Sequence, residues 1–206
     1  LNFSGSLGTS AFFGLKGLHH IIYWLVDNMA ERGMGRIKEY PLSDSDIKKI
    51  LGQDIKIITY PMLGEMNSID EAFDAKGRCI MLYLTESSSS GHWCCLLKKG
   101  NTIEFFDPYG EPPEEALDNV PQSKLQQLDE GRPYLTDLLR ASGKKVSYNH
   151  HPFQQTKNNV NTCGRHSVVR CLYAPYSLAK YKKVMDASGM TPDNFVSALT
   201  ALKLGK

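Results

Sequence analysis

The chain has 206 residues, with 24 Lys and Arg against 22 Asp and Glu and 41 % hydrophobic residues. It is long enough to bury one core without staples, and it lacks the basic excess that would make nucleic acid a default partner. Five cysteines (Cys79, Cys94, Cys95, Cys163, Cys171) form no Cys-x-x-Cys pair, which excludes a disulfide framework, argues against zinc and points to a reducing compartment.

In chain order, residues 2–17 are rich in Gly, Ser and Phe and are expected to form an arm. Leu18, Ile21, Ile22, Leu25, Val26 and Met29 then mark one face of a helix ended by Gly33 and Gly35. Residues 1–35 are thus expected to be an N-terminal arm and helix, and residues 36–206 a single domain. His19 and His20 are adjacent on that helix and diverge, so a structural role outweighs a ligand pair. The apolar run 21–26 is far too short to cross a bilayer, and it lacks the flanks of a signal peptide.

Ser43-Asp44-Ser45-Asp46 caps a short helix carrying Ile47, Ile50 and Leu51, closed by Gly52. Residues 55–60 alternate as a half-buried strand does, and a helical turn is expected at 69–73. Three strands follow at 79–84, 92–97 and 102–106, the first continuously apolar and the last two joined by a turn at Lys98-Lys99-Gly100-Asn101. That hairpin sets His92, at the start of one strand, beside Asp107, at the end of the next.

Residues 111–131 hold six acidic side chains against Lys124 and are expected to be a solvated acidic loop or loose helix. A helix at 134–142 and a strand at 145–149 lead toward Thr162-Cys163-Gly164, which opens an amphipathic helix marked by Val168, Cys171 and Leu172. Residues 177–187 read as a basic surface helix. Thr191-Pro192 caps a last helix bearing Phe195, Leu199 and Leu202.

Cys163 falls in a first helical turn, where unpaired N–H groups and the helix dipole favour thiolate over thiol. Gly164 would let a substrate carbonyl approach the backbone, and Gln154 or Gln155 offers an amide to a developing oxyanion. The competing reading is a buried cysteine that merely caps a core helix. Partners decide between the two: His92 can take and return the thiol proton, and Asp107 can fix its tautomer. His166, on the same helix as Cys163, projects alongside the thiol and not across from it, and His150 and His151 mark a strand end. Cys94 and Cys95 face opposite layers of a sheet, without helix-terminus activation.

Gly91-His92-Trp93, then Phe105-Phe106-Asp107-Pro108-Tyr109-Gly110, then Gln155 eight residues before Cys163-Gly164 with a helix behind, together resemble the adenain-like cysteine proteases. That superfamily includes enzymes that remove SUMO and related ubiquitin-like modifiers. The resemblance spans about residues 40–185 and is nearest to viral maturation proteases. It implies an α+β fold with a central, mostly antiparallel sheet packed between helices. It also implies His92 as general base, Asp107 as its orienting acid, Cys163 as nucleophile and Gln155 as oxyanion donor, with Trp93 narrowing the channel over the thiol. The glutamine lies farther from the cysteine than is usual in the family, so Gln154 or Gln155 could serve. The implied partner is a protein substrate, a capsid or other precursor polypeptide or a ubiquitin-like modifier, with no cofactor, metal or membrane, in host cytoplasm or nucleus or in a virion. The alternatives are a deubiquitinating or deSUMOylating isopeptidase and an effector-type acetyltransferase.

Overall fold

The computed structural model describes residues 31–205 except 88, 89 and 158. The arm at 2–17, the helical face beginning at Leu18 and the His19-His20 pair lie outside the described residues.

The described residues form seven α-helices, α1 (Glu31–Glu39), α2 (Asp44–Leu51), α3 (Gln122–Gln127), α4 (Tyr134–Ala141), α5 (Cys163–Leu172), α6 (Leu178–Ala187) and α7 (Pro192–Leu204). Five strands, β1 (Lys56–Thr59), β2 (Arg78–Ser87), β3 (Ser90–Lys99), β4 (Thr102–Phe106) and β5 (Lys145–Tyr148), form one sheet in sequential order. The central three run antiparallel, while β1 and β5 join the two edges in parallel.

The uninterrupted apolar run of β2 is explained by cover on both faces. Alternation sends Ile80, Leu82, Trp93, Cys95, Leu97 and Phe106 toward α2, α5, α6 and α7. It sends Cys79, Met81, Tyr83, Cys94, Leu96, Ile103 and Phe105 to the opposite face, against α4 and the short turns at Tyr60–Glu65 and Ile69–Ala72. The architecture is therefore α+β, a five-stranded sheet between helical layers. No helix among the described residues is long and apolar enough to cross a membrane.

Four expectations change. Gly33 and Gly35 do not end a helix but lie inside α1, which runs across position 35 to Glu39. Both have open space where a side chain would be, and Met34 between them packs against Ala198 of α7. That tertiary contact offsets the roughly 1 kcal/mol that each glycine costs a helix.

Helix α5 is not amphipathic, since every residue from Gly164 to Cys171 is buried. Its charges are met inside the protein. Arg170 makes a two-pronged contact with Glu104, Nε to Oε1 at 2.6 Å and Nη2 to Oε2 at 2.9 Å, and also donates to the carbonyls of Tyr173 and Tyr176. Arg165 donates to Thr200 Oγ1 and to the Tyr40 carbonyl.

The 111–131 stretch is anchored, not freely solvated. Glu114 accepts hydrogen bonds from Tyr60 and from the Thr136 hydroxyl and N–H. Glu130, only 2 % exposed, accepts from Leu84 N at 2.7 Å. On α7, Leu202 is exposed, and the buried stripe is Phe195, Val196, Ala198, Ala201 and Leu204. The expected N-cap stands: Thr191 Oγ1 accepts from Asn194 N ahead of Pro192.

Candidate active site

The β3–β4 hairpin pairs Cys95 with Phe106. Continuing that register sets Cys94 directly across from Asp107 and His92 level with Tyr109. Residues two apart on a strand share a face, so His92, Cys94 and Asp107 all lie on one side of the sheet. His92 Nε2 meets Asp107 Oδ2 at 2.8 Å, and Cys94 Sγ donates to the same oxygen at 3.1 Å. The Tyr109 ring stacks on His92, with centroids 5.0 Å apart and planes tilted by 24°.

Asp107 is fixed from behind. Its Oδ1 accepts from Tyr109 N at 2.6 Å, its N–H donates to Asn149 Oδ1, and its carbonyl accepts from Asn149 Nδ2. With Nε2 engaged, the other imidazole nitrogen is left for the sulfur of Cys163, the half-buried first residue of α5.

The ionisation of the group follows from these contacts. Burial pushes the Cys163 thiol up, but its hydrogen bond with His92, the His92 charge and the N–H groups of Trp93 and Gly164 bring it below its ordinary value. Burial likewise disfavours the charged form of His92; a charge on Cys94 would oppose this but is absent while Cys94 is a thiol, so the hydrogen bonds with Asp107 and Cys163 are what hold the imidazole above its usual range. Asp107 is kept low against its own burial by the hydrogen bond and charge of His92. Cys94 is driven the other way, by burial and by the Asp107 charge, and stays a thiol. The arrangement thus favours a Cys163 thiolate beside a His92 imidazolium, with a neutral Cys94 as donor.

A groove of about 310 Å³ opens over the sulfur; its walls include His92, Tyr109, Glu111, Gln154, Asn161 and Cys163. Of the two candidate glutamines, Gln154 lines it. Its Nε2 donates to Tyr109 Oη and to the Val160 carbonyl, each at 3.1 Å, and its buried Oε1 has no partner among the described residues. Gln155 is engaged through its backbone N–H, which donates to Asp193.

Trp93 is 7 % exposed and belongs to the core below the groove. Gly164 leaves room for it: a Cβ there would stand 3.2 Å from the indole Cδ1. The missing side chain of Gly164 is thus explained by the indole against it, and both residues meet the site through their backbone N–H groups, which face the Cys163 sulfur.

His166 is fully buried and meets Asp193, not Cys163. His151 packs edge-on to Phe153, and His150 lies against Tyr148. Sequence reasoning missed Asn149, Tyr109 as the stacking partner, and Cys94, which the hairpin register alone would have placed opposite Asp107. The ligand atoms of His92, Cys94 and Asp107 lie within 4.8 Å of one another, close enough to share a cation. Their hydrogen bonds satisfy one another without one.

The fold and site define an α+β protein that gathers a thiol, an imidazole and a carboxylate at one end of its sheet, facing a groove. No family model matches the chain. It is 35 % identical over 164 residues to "Uncharacterized protein V9" of Sputnik virophage, an alignment covering 77 % of this chain and 93 % of that one, and it belongs to the same family. A crystal structure of the ASFV pS273R protease is similar over 80 % of this chain and 69 % of its own, with a TM-score of 0.41 and 14 % identity.

Proposed function

We propose that the protein is a cysteine endopeptidase that cuts protein substrates through an acyl-enzyme thioester. The observation that carries this reading is the contact chain Asp107–His92–Cys163 at the floor of an open groove, with the sulfur's pKa lowered and the imidazole's raised.

In the proposed cycle the Cys163 thiolate attacks the scissile carbonyl. The negative charge that develops on its oxygen is met by first-turn N–H groups of α5, which have no helical acceptor, and by Gln154 Nε2 once it turns from Tyr109 Oη to donate to that oxygen. The His92 imidazolium gives its proton to the departing amine. Now neutral, His92 takes a proton from water as that water attacks the thioester, which returns the thiolate and the imidazolium. Asp107 keeps Nε2 occupied throughout and stabilises the imidazolium.

The virophage relative and the sequence resemblance to viral maturation proteases favour a precursor polypeptide of a virus or virus-like element as the substrate, processed in the host cell or the virion. The test is peptide-library profiling of wild type beside Cys163→Ala, together with labelling by a cysteine-directed vinyl sulfone. Cleavage and a single adduct at Cys163, both lost in the variant, are expected; a folded enzyme that neither cleaves nor labels would refute the reading.

A further inference from the structure

The molecule holds a second His–Asp pair, away from the groove. Asp193, in the first turn of α7, is 2 % exposed and directs both carboxylate oxygens at the segment that leads into α5. Oδ2 accepts from Gln155 N at 3.2 Å; Oδ1 accepts from Thr162 Oγ1 at 2.6 Å and meets His166 Nε2 at 3.1 Å.

Gln155 and Thr162 are the two ends of one loop. Gln154 immediately precedes the first, and Cys163 immediately follows the second. A single buried carboxylate therefore ties the loop shut directly behind the two groups that face the groove. His166 completes the contact: burial holds its pKa below the ordinary value, so the neutral ring donates from Nε2, and Nδ1 is the nitrogen without a partner among the described residues. Asp193 is itself held in place by the Thr191 cap and Pro192 at the start of α7.

We propose that Asp193 is a positioning residue, which fixes the separation of Gln154 and Cys163 by bridging Gln155 N and Thr162 Oγ1. This rests on the endopeptidase reading, because the separation matters only if both groups act on one carbonyl. Asp193 does not line the groove and touches no reacting atom. Its effect is geometric, and a displacement of about 1 Å at a reacting centre can cost on the order of a hundredfold in rate.

The test uses the full chain with Thr162→Val, which removes one tie with little change in volume, and with Asp193→Asn and Asp193→Ala. It reads kcat and KM on a peptide taken from library profiling, the rate of Cys163 alkylation by iodoacetamide at neutral pH, and folding by circular dichroism. For Thr162→Val the clamp predicts a kcat lower by about ten- to a hundredfold with KM within about twofold, slower alkylation and an intact fold. Asp193→Asn, which keeps an acceptor oxygen, should fall between wild type and Asp193→Ala.

Wild-type kcat and alkylation in folded Thr162→Val and Asp193→Asn would overturn the clamp, as would a loss that merely tracks the folded fraction. If Asp193→Ala does not fold, Thr162→Val decides. If wild type cuts no peptide, the endopeptidase reading fails separately, and the alkylation rates still decide whether the clamp holds Cys163.

Discussion

Cys94 gives its thiol hydrogen to Oδ2 of Asp107, the same oxygen that meets His92 Nε2. The proposed orienting carboxylate is thus shared between an imidazole two residues away along β3 and a thiol directly across the hairpin. A neutral donor on that oxygen draws off part of its charge while holding it in line with the ring.

Removing the donor should therefore have a small but measurable effect. Cys94→Ala loses one hydrogen bond of about 1 kcal/mol, worth about fivefold in kcat/KM, whereas Cys94→Ser keeps a donor and should retain more activity. Steady-state kinetics on both variants checks this, and wild-type activity in Cys94→Ala would show that the contact contributes nothing.

The pH profile follows from the two opposed shifts. Cys163 is lowered and His92 raised, so the thiolate–imidazolium pair forms as pH climbs through the Cys163 pKa and is lost as pH climbs through that of His92. A bell-shaped kcat/KM is expected. In Asp107→Asn the imidazolium loses its carboxylate, so the alkaline limb should move to lower pH; a limb that does not move would mean that Asp107 does not set the His92 pKa.

The two glutamines separate cleanly. Gln154→Ala should lower kcat by about 10²- to 10³-fold, as removal of an oxyanion donor does. Gln155→Ala should cost far less, since its tie to Asp193 is made by the backbone. The reverse order in kcat would return the role to Gln155.

Glu130 supplies a stability prediction. Burial raises its carboxyl to about 7, against which Leu84 N is the one opposing hydrogen bond. The folded state therefore binds this proton more tightly than the unfolded state does, and the group's contribution to stability falls as pH rises from the ordinary glutamate range near 4.3 to about 7. Glu130→Gln stays neutral, so its Tm should exceed wild type at pH 8 and match it near pH 4. Thermal melts at the two pH values test this, and an equal difference at both would exclude a titration effect.

What was legible in the sequence is what is encoded locally. The capped helices at Asp44 and Pro192, the β3–β4 hairpin and Cys163 at the first position of α5 all rest on neighbours within a few residues, and they were readable. The full burial of α5 was not. Arg165 and Arg170 look like a solvent face until Thr200 and Glu104, distant in sequence, arrive to pair with them. The choice between Gln154 and Gln155 depends on how one loop turns, and spacing does not fix that. Cys94 was in reach, since the hairpin register places it opposite Asp107, but a strand cysteine carries no helix terminus to mark it.

The most direct test of the central claim is cleavage of a peptide library, read by mass spectrometry, with wild type, Cys163→Ala and His92→Ala at equal folded concentration. Cutting by wild type alone, at a shared sequence, is the predicted result. Undiminished cutting by Cys163→Ala would contradict the account, because a group other than that sulfur would then be the nucleophile.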